Sequence, residues 1–412
     1  MADTPELTTL ASVVARTGGA LQTGPFGSQL HASDYQSTGT PLVMPVNLGD
    51  NEIREGGIAR IGATDVHRLR RHALRDGDIV FSRRGDVGRR SLVREKEVGW
   101  LCGTGCLAAK FGTDRRAVNP AYVAEYLGSN AAQTWLVDNA VGGTMLNLNT
   151  GILAALPVLL PPKHEQNRIV SAFGDVQQTI KTLERLIAKK QAIKQGMMQQ
   201  LLTGRARLPG FTDDWRQSTV GAEFDVQLGK MLDAAKNAGV VKPYLGNRAV
   251  QWGRIDVSAA GSVPMTPSDI HRYRLQAGDL LVCEGGEVGR AAVWRNELSE
   301  CYFQKALHRL RPRNGYDIRV MQALLELWSS VGSFADYVTQ TSIAHLPREK
   351  FVEMPLPLPS IAEQTAIGDL VEDLDREIAC VDRRIVKHRA IKQGMMQQLL
   401  TGRTRLSGAS AS

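Results

Sequence analysis

Two stretches of this chain carry apolar residues at strict helical spacing. In the first, Ile169, Phe173, Val176, Ile180, Leu183 and Ile187 step by four, three, four, three and four. In the second, Ile367, Val371, Leu374, Ile378, Val381 and Ile385 step identically. Such steps trace the seam of a heptad helix, and the polar residues between them make each helix amphipathic. The two stretches are copies. Residues 192–205 and 390–403 both read AIKQGMMQQLLTGR, at an offset of 198, and Glu165-Gln166 with Glu363-Gln364 and Arg207-Leu208 with Arg405-Leu406 keep that offset. Pro161-Pro162 can open the first helix, and Ser360-Ile361-Ala362-Glu363 predicts a capping box at the second. Gly204 with Pro209, and Gly402, mark the ends. Each helix spans roughly 40 residues, about 60 Å at 1.5 Å per residue.

A helix of that length must bury its seam, and its own copy is the obvious partner. Two like units associate about a two-fold axis, which predicts an antiparallel pair. Charge agrees: Lys181, Arg185, Lys189, Lys190 and Lys194 lie late in the first helix, and Asp369, Glu372, Asp373, Asp375 and Glu377 early in the second. The late basic residues would also complement the helix dipole. Gly196 and Gly394 occupy the same place in both copies, which predicts a close backbone approach there, with a simple bend as the alternative.

The rest of the chain is turn-rich with short strands. It divides into a globular domain at 1–160, the first long helix at 161–208, a second globular domain at 209–358, and the second long helix with a short tail at 359–412. The fold class expected is α+β: two globular α/β domains separated by two long helices in an antiparallel coiled coil, with a pseudo-two-fold internal repeat. A faint repeat links the two domains at an offset of 201. Gly77-Asp78-Ile79-Val80 aligns with Gly278-Asp279-Leu280-Leu281, and Gly85-Asp86-Val87-Gly88-Arg89 with Gly286-Glu287-Val288-Gly289-Arg290. Each pair predicts a β-hairpin whose tip carries Arg83, Arg84, Arg89 and Arg90, or Arg290. Residues 304–311 alternate like a strand, with Lys305, Leu307, Arg309 and Arg311 on one face and Ala306, His308 and Leu310 on the other. That segment reads either as a nucleic-acid-facing edge or as an ordinary solvated strand.

Composition narrows the function. The net charge of +8 and pI near 9.3 are compatible with phosphate contacts. No apolar run is long enough to span a membrane, and the acidic N-terminal residues lack a secretory h-region, so a cytoplasmic location is expected. The five cysteines are odd in number and irregularly spaced. Cys102 and Cys106 lack a second pair for zinc and read as buried small residues. No metal site, Walker A motif or dinucleotide fingerprint is evident. Asn119-Pro120-Ala121-Tyr122 differs by one residue from the Asn-Pro-Pro-Tyr motif of adenine methyltransferases, but no glycine-rich cofactor strand precedes it. It reads better as the start of a helix.

At this point the chain resembles the specificity (S) subunits of type I restriction–modification systems, over essentially its whole length. The resemblance rests on Leu160-Pro161-Pro162-Lys163-His164-Glu165-Gln166 and Leu358-Pro359-Ser360-Ile361-Ala362-Glu363-Gln364 leading into the helices. It rests also on the Gln-rich helix ends before Leu-Leu-Thr-Gly. Gly24-Pro25-Phe26-Gly27-Ser28-Gln29-Leu30, followed by Ser33-Asp34-Tyr35, is similar to the opening of a target recognition domain. Trp215, Pro243-Tyr244-Leu245 and Val250-Gln251-Trp252-Gly253 are similar to another variety of it. The second domain lacks the Gly-Pro-Phe-Gly-Ser element, so its base preference should differ. The resemblance implies a non-catalytic subunit in which each domain reads one half of an asymmetric bipartite site on double-stranded DNA. It implies that the helices set the spacer and dock methyltransferase subunits, which recruit restriction subunits. This chain would hold no cofactor; S-adenosylmethionine and ATP with Mg are expected on the partner subunits.

The DNA contacts expected are Gln22, Ser28, Arg83, Arg84, Arg89 and Arg90 in the first domain, and Lys230, Arg248, Arg290, Lys305 and Arg309 in the second. Arginine is favoured because its fork contacts guanine bidentately. Two rivals stand beside this reading. A coiled-coil adaptor that binds only proteins would show no sequence-selective retention on DNA. A free-standing DNA-modifying enzyme would bind S-adenosylmethionine by itself.

Overall fold

The computed structural model describes residues 4–26, 29–233, 237–340 and 344–406. The chain packs as two compact units, one formed by residues 1–182 with 384–412, the other by residues 183–383.

In the first unit, strand Glu6–Thr9 pairs antiparallel with Pro157–Leu160, so the ends of the globular part are tied together. Inside this clasp lies a four-stranded sheet in the order Ala20–Thr23, Cys106–Lys110, Ile79–Ser82, Arg90–Leu92. Ile79–Ser82 is buried along its whole length, as a strand covered on both faces must be. One face packs on helices Leu10–Ala15 and Pro120–Tyr126 through Val13, Phe81, Leu107, Tyr122 and Val123. A second sheet runs Tyr35–Gln36, Ala59–Ile61, Thr40–Val43, Leu101–Cys102, its last pairing parallel. Cys102 and Cys106 are free and buried, as the sequence predicts. Asn119 caps the helix beginning at Pro120 by accepting from the Ala121 N–H, so the Asn-Pro pair starts a helix.

The second unit repeats this plan with almost none of the same residues. Arg216–Thr219 clasps Pro355–Leu358. The main sheet runs Phe224–Leu228, Leu307–Pro312, Leu280–Cys283, Ala291–Val293. The second sheet joins Gly261–Met265, Val240–Leu245 and Tyr302–Phe303, again closing on a parallel pairing. Both predicted hairpins form. Gly77, Gly85, Gly278 and Gly286 all have positive φ, which is why glycine sits at these turns.

The reading of residues 304–311 is corrected. Leu307–Pro312 is an inner strand of the sheet, bonded on both sides, and residues 307–310 are all buried. Its side-chain alternation separates two covered faces, so it is neither a DNA-facing edge nor a solvated strand. His308 points into the core, where burial lowers its pKa to about 4, and its Nε2 lies 2.9 Å from the Leu346 carbonyl oxygen.

The two long helices are Lys163–Leu201 and Ile361–Leu399, 39 residues each. Within each unit their segments run antiparallel. In the second unit Lys190 donates to Glu377 at 2.6 Å and Lys194 to Asp375 at 2.7 Å, while Met198 and Leu202 share a core with Ile367 and Val371. In the first, Lys392 donates to Gln177 at 3.0 Å, and Leu399 and Leu400 share a core with Ile169 and Phe173. Basic late turns thus meet acidic early turns, as charge predicted. Not every acidic group is used so: Asp369 and Glu372 bind Arg319 of the second globular part.

The repeated Glu-Gln pair explains how helix and domain are joined. The Gln166 side chain accepts from the Asn119 backbone N–H at 2.7 Å and donates to the Pro161 carbonyl at 2.7 Å. Gln364 does the same with Asp317 and Pro359, both at 2.9 Å. Both glutamines are fully buried. The predicted capping box is half formed: the Glu363 N–H donates to Ser360 Oγ at 3.3 Å, but the Glu363 carboxylate turns to Arg207 at 2.6 Å and to Trp215 Nε1 at 2.9 Å. Gly204 and Gly402 end the helices with φ of 70° each. The close approach expected at Gly196 and Gly394 is overturned, because a Cβ there would meet open space. Among the described residues, no helix is long and apolar enough to cross a membrane.

Candidate nucleic-acid interface

In each unit four chain segments converge on the tip of the glycine hairpin. In the first unit the Arg83 N–H donates to Gly105 O, the Leu148 N–H donates to Arg83 O, Gly85 N–H donates to Leu146 O, and Gly24 N–H donates to Cys106 O. In the second unit the Glu284 N–H donates to Ala306 O, the Leu346 N–H donates to Glu284 O, and Lys230 N–H donates to Phe303 O. The hairpin tip, the end of the first sheet strand, the turn at 103–105 or 304–306, and a late segment at 146–148 or 344–346 therefore form one braced cluster. Backbone bonding fixes these loops from several sides, while their side chains are left to differ.

The expected contact residues sort by what already holds them. Arg84 is exposed on the first tip, and Arg89 is exposed beside Asp86 at 2.9 Å. Arg83 is half-buried, its Nε without a hydrogen-bond partner. Gln22 lies on the first strand with its Nε2 3.4 Å from His72 Nδ1. Arg248 and Lys305 are exposed in the second unit. Ser28 lies outside the described residues.

Arg90 is corrected from a DNA contact to a structural role. It is only 5% exposed, donates from Nε to Ala124 O at 2.9 Å, and its guanidinium occupies the space a Cβ at Gly128 would need. Arg309 is corrected likewise: 4% exposed, it donates to Asp225 at 2.8 Å from an inner strand. Lys230 is held by Asp269 at 2.9 Å, and Arg290 by Glu287 at 3.0 Å and by the Asn247 carbonyl at 2.9 Å. These two are largely covered and brace the cluster.

Sequence reasoning passed over a basic run beside Gln22. Arg68, Arg70 and Arg71 are exposed, and Arg71 Nε lies 3.0 Å from His72 Nε2. The matching position in the second unit holds exposed Arg272 and Arg274, with Gln227 Nε2 donating to Arg272 O at 3.2 Å. The run His67-Arg68-Leu69-Arg70-Arg71-His72 was the available signal. Arginine on such a rim suits phosphate contacts, which position a protein without reading sequence. Among the described residues no group of three His, Cys, Asp or Glu side chains could hold a metal ion.

Comparison with known proteins bears on this geometry. Residues 71–195 and 213–386 match the family model for the type I restriction modification DNA specificity domain. The type I restriction enzyme MjaVIII specificity subunit of Methanocaldococcus jannaschii is 20% identical over 294 residues, spanning 66% of this chain and 68% of the relative. Among solved structures, a chain from work on complex assembly and conformational transition of the type I R-M system matches with a TM-score of 0.61 and 17% identity, over 97% of this chain and 98% of that one. The type I restriction-modification S subunit of M. genitalium matches with a TM-score of 0.57 and 15% identity over 96% of each chain. At such identities the structural likeness speaks for the fold.

Proposed function

Since this chain belongs to the type I restriction–modification specificity-subunit family, and is a DNA sequence-recognition subunit, we propose that its two globular parts read the two halves of one asymmetric, bipartite site. The observation that carries this reading is a repeated backbone with unrepeated side chains. Both units have a four-stranded main sheet of the same order, the same clasp and a similarly braced tip, yet Arg83 and Arg84 stand in one where Glu284 and Gly285 stand in the other. A shared frame with unlike tips suits two readers of unlike half-sites.

In this reading the long helices set the spacer and carry the docking surface for methyltransferase subunits, through which restriction subunits join. The chain itself carries no chemistry. S-adenosylmethionine, and ATP with Mg, belong to the partner subunits. Affinity comes mainly from exposed arginines and lysines on phosphate, and specificity from a few side chains at base edges. The test is to map methyladenine in a host carrying this chain with its methyltransferase subunits, and again without this chain. Loss of one bipartite motif supports the reading. An unchanged methylation map refutes it.

A further inference from the structure

Arg83 and Glu284 hold the same place in the two units. Each is the first residue after the buried hairpin strand, Ile79–Ser82 or Leu280–Cys283. Each donates its N–H to the turn beyond the neighbouring strand, Arg83 to Gly105 at 2.8 Å and Glu284 to Ala306 at 3.0 Å. Each accepts from a leucine on the late segment, Arg83 from Leu148 at 2.8 Å and Glu284 from Leu346 at 2.7 Å. The backbone is matched and the charge is inverted.

A carboxylate is an unexpected group on a surface that approaches phosphates, which repel it. Glu284 is nevertheless half-buried, and among the described residues its carboxylate makes no hydrogen bond or ion pair at contact distance. It lines a cavity of about 520 Å³ with Asn247, Gly285, Gly286, Lys305, Ala306 and His345. Asn247 uses its Nδ2 on the Gly285 carbonyl at 3.1 Å, which leaves Oδ1 buried with no partner. The recess therefore offers an unpaired carboxylate, with the Asn247 amide oxygen sealed behind it. Burial pulls the Glu284 pKa up, while His345 and Lys305 pull it down. At the first tip the unfilled buried groups include a donor, Arg83 Nε, and the Thr104 hydroxyl.

A carboxylate asks for a hydrogen-bond donor. Among base edges in the major groove only the exocyclic amino groups of cytosine and adenine donate, each through the one N–H left free by base pairing, whereas guanine N7 and O6 ask for a donor such as arginine. We propose that Arg83 and Glu284 are equivalent specificity-determining residues, Glu284 reading an exocyclic base amino group and Arg83 the acceptor edge of guanine. This rests on the DNA-reading function proposed above. It adds the chemical class of base that each tip selects.

The test uses the full chain assembled with its methyltransferase subunits and duplexes carrying the mapped motif. Single positions in the second domain's half-site are replaced by analogues lacking one amino group, a 4-deamino pyrimidine for cytosine or purine for adenine. For the unaltered complex, one replacement should weaken binding about tenfold or more. For Glu284→Ala the same replacement should have no further effect. Glu284→Gln keeps the shape of the side chain and should lose most of the discrimination, which covers the case that the alanine variant fails to assemble. The replacement that works tells cytosine from adenine. In the other half-site, 7-deazaguanine at one position should weaken the unaltered complex and leave Arg83→Ala indifferent. If every amine deletion weakens the unaltered complex and Glu284→Gln equally, the Glu284 assignment is overturned while DNA reading stands. If the unaltered complex binds the motif and unrelated DNA alike, DNA reading itself fails and the assignment with it.

Discussion

Lys194 donates to Asp375 at 2.7 Å, and the pair related to it by the 198-residue repeat, Lys392 and Gln177, meets at 3.0 Å without the opposing charge. One contact is thus made in both units, once as an ion pair and once as a simple hydrogen bond. Lys194 also reaches Glu326 at 3.1 Å. Burial alone would lower its pKa, but the two carboxylates hold it raised. A lysine raised in the folded state stabilises fully below its ordinary value near 10.5 and loses that contribution as pH climbs through the raised one. Lys194→Ala should cost the second unit about 1–2 kcal/mol, and Lys392→Ala less than about 1 kcal/mol in the first. Denaturant titration of each variant checks the order; equal losses would contradict the role given to Asp375 and Glu326.

Gln166 and Gln364 fasten each helix start to its own globular part. Gln166→Leu leaves the Asn119 N–H and two carbonyls without partners and should cost about 2–4 kcal/mol. Amide hydrogen exchange should rise at residues 119–123 and remain unchanged at 317–321. Gln364→Leu should give the reverse. Exchange rising at both places in either variant would show that the joint is not local.

Gly196 and Gly394 lie inside helices with open space where a Cβ would stand. Each should accept alanine with a gain of about 1 kcal/mol, read as a higher midpoint of thermal unfolding. By contrast Phe173→Ala, in the buried seam, should lose about 3–5 kcal/mol. A destabilising Gly196→Ala would mean that a partner subunit needs the bare backbone there, provided the loss appears only in the assembled complex.

His308 is buried and neutral, with its pKa lowered to about 4 from 6.5. A histidine lowered in the folded state stabilises above its unfolded value, and that contribution is lost as pH falls from 6.5 toward 4. The loss should be on the order of 3 kcal/mol. It should disappear in a His308→Phe variant that folds, since phenylalanine does not titrate and the ring already packs on Phe351, tilted by 50°. A melting temperature equally steep in pH for both proteins would remove His308 as the cause.

Burial separates two kinds of arginine at the tips. Arg90→Ala and Arg309→Ala should lower thermal stability, because the first leaves Ala124 O unpaired and the second leaves Asp225 only Arg313, 3.9 Å away. Arg84→Ala and Lys305→Ala should leave stability within about 0.5 kcal/mol. They should instead weaken DNA binding by the assembled complex and reduce its salt dependence. Filter binding at two salt concentrations, beside thermal unfolding, decides each case.

The frame was legible in the sequence, and the readers were not. The seam from Ile169 to Ile187 obeys a heptad period, and the copy at 367–385 repeats it step for step. Gly77 and Gly85, with Gly278 and Gly286, announced the hairpins because positive φ excludes most other residues. Arg89 and Arg90 show where this ends. They are adjacent and chemically alike, yet one is exposed and the other fills the space above Gly128, a residue from another segment. The same holds for Arg309, whose strand looked like an edge until Phe224–Leu228 and Leu280–Cys283 were found on either side. Side-chain direction at such positions depends on distant packing that alternation alone does not encode. Gly196 failed for a related reason: a repeated glycine marks a repeated constraint without naming it.

In the proposed function each globular part reads its own half of a bipartite site. The most direct measurement replaces residues 6–160, clasp strands included, with the corresponding domain of another such subunit and maps methyladenine in the host. The expected result is a new half-site joined to the old one, with the second half and the spacer unchanged. A change in both halves, or in neither, would contradict it.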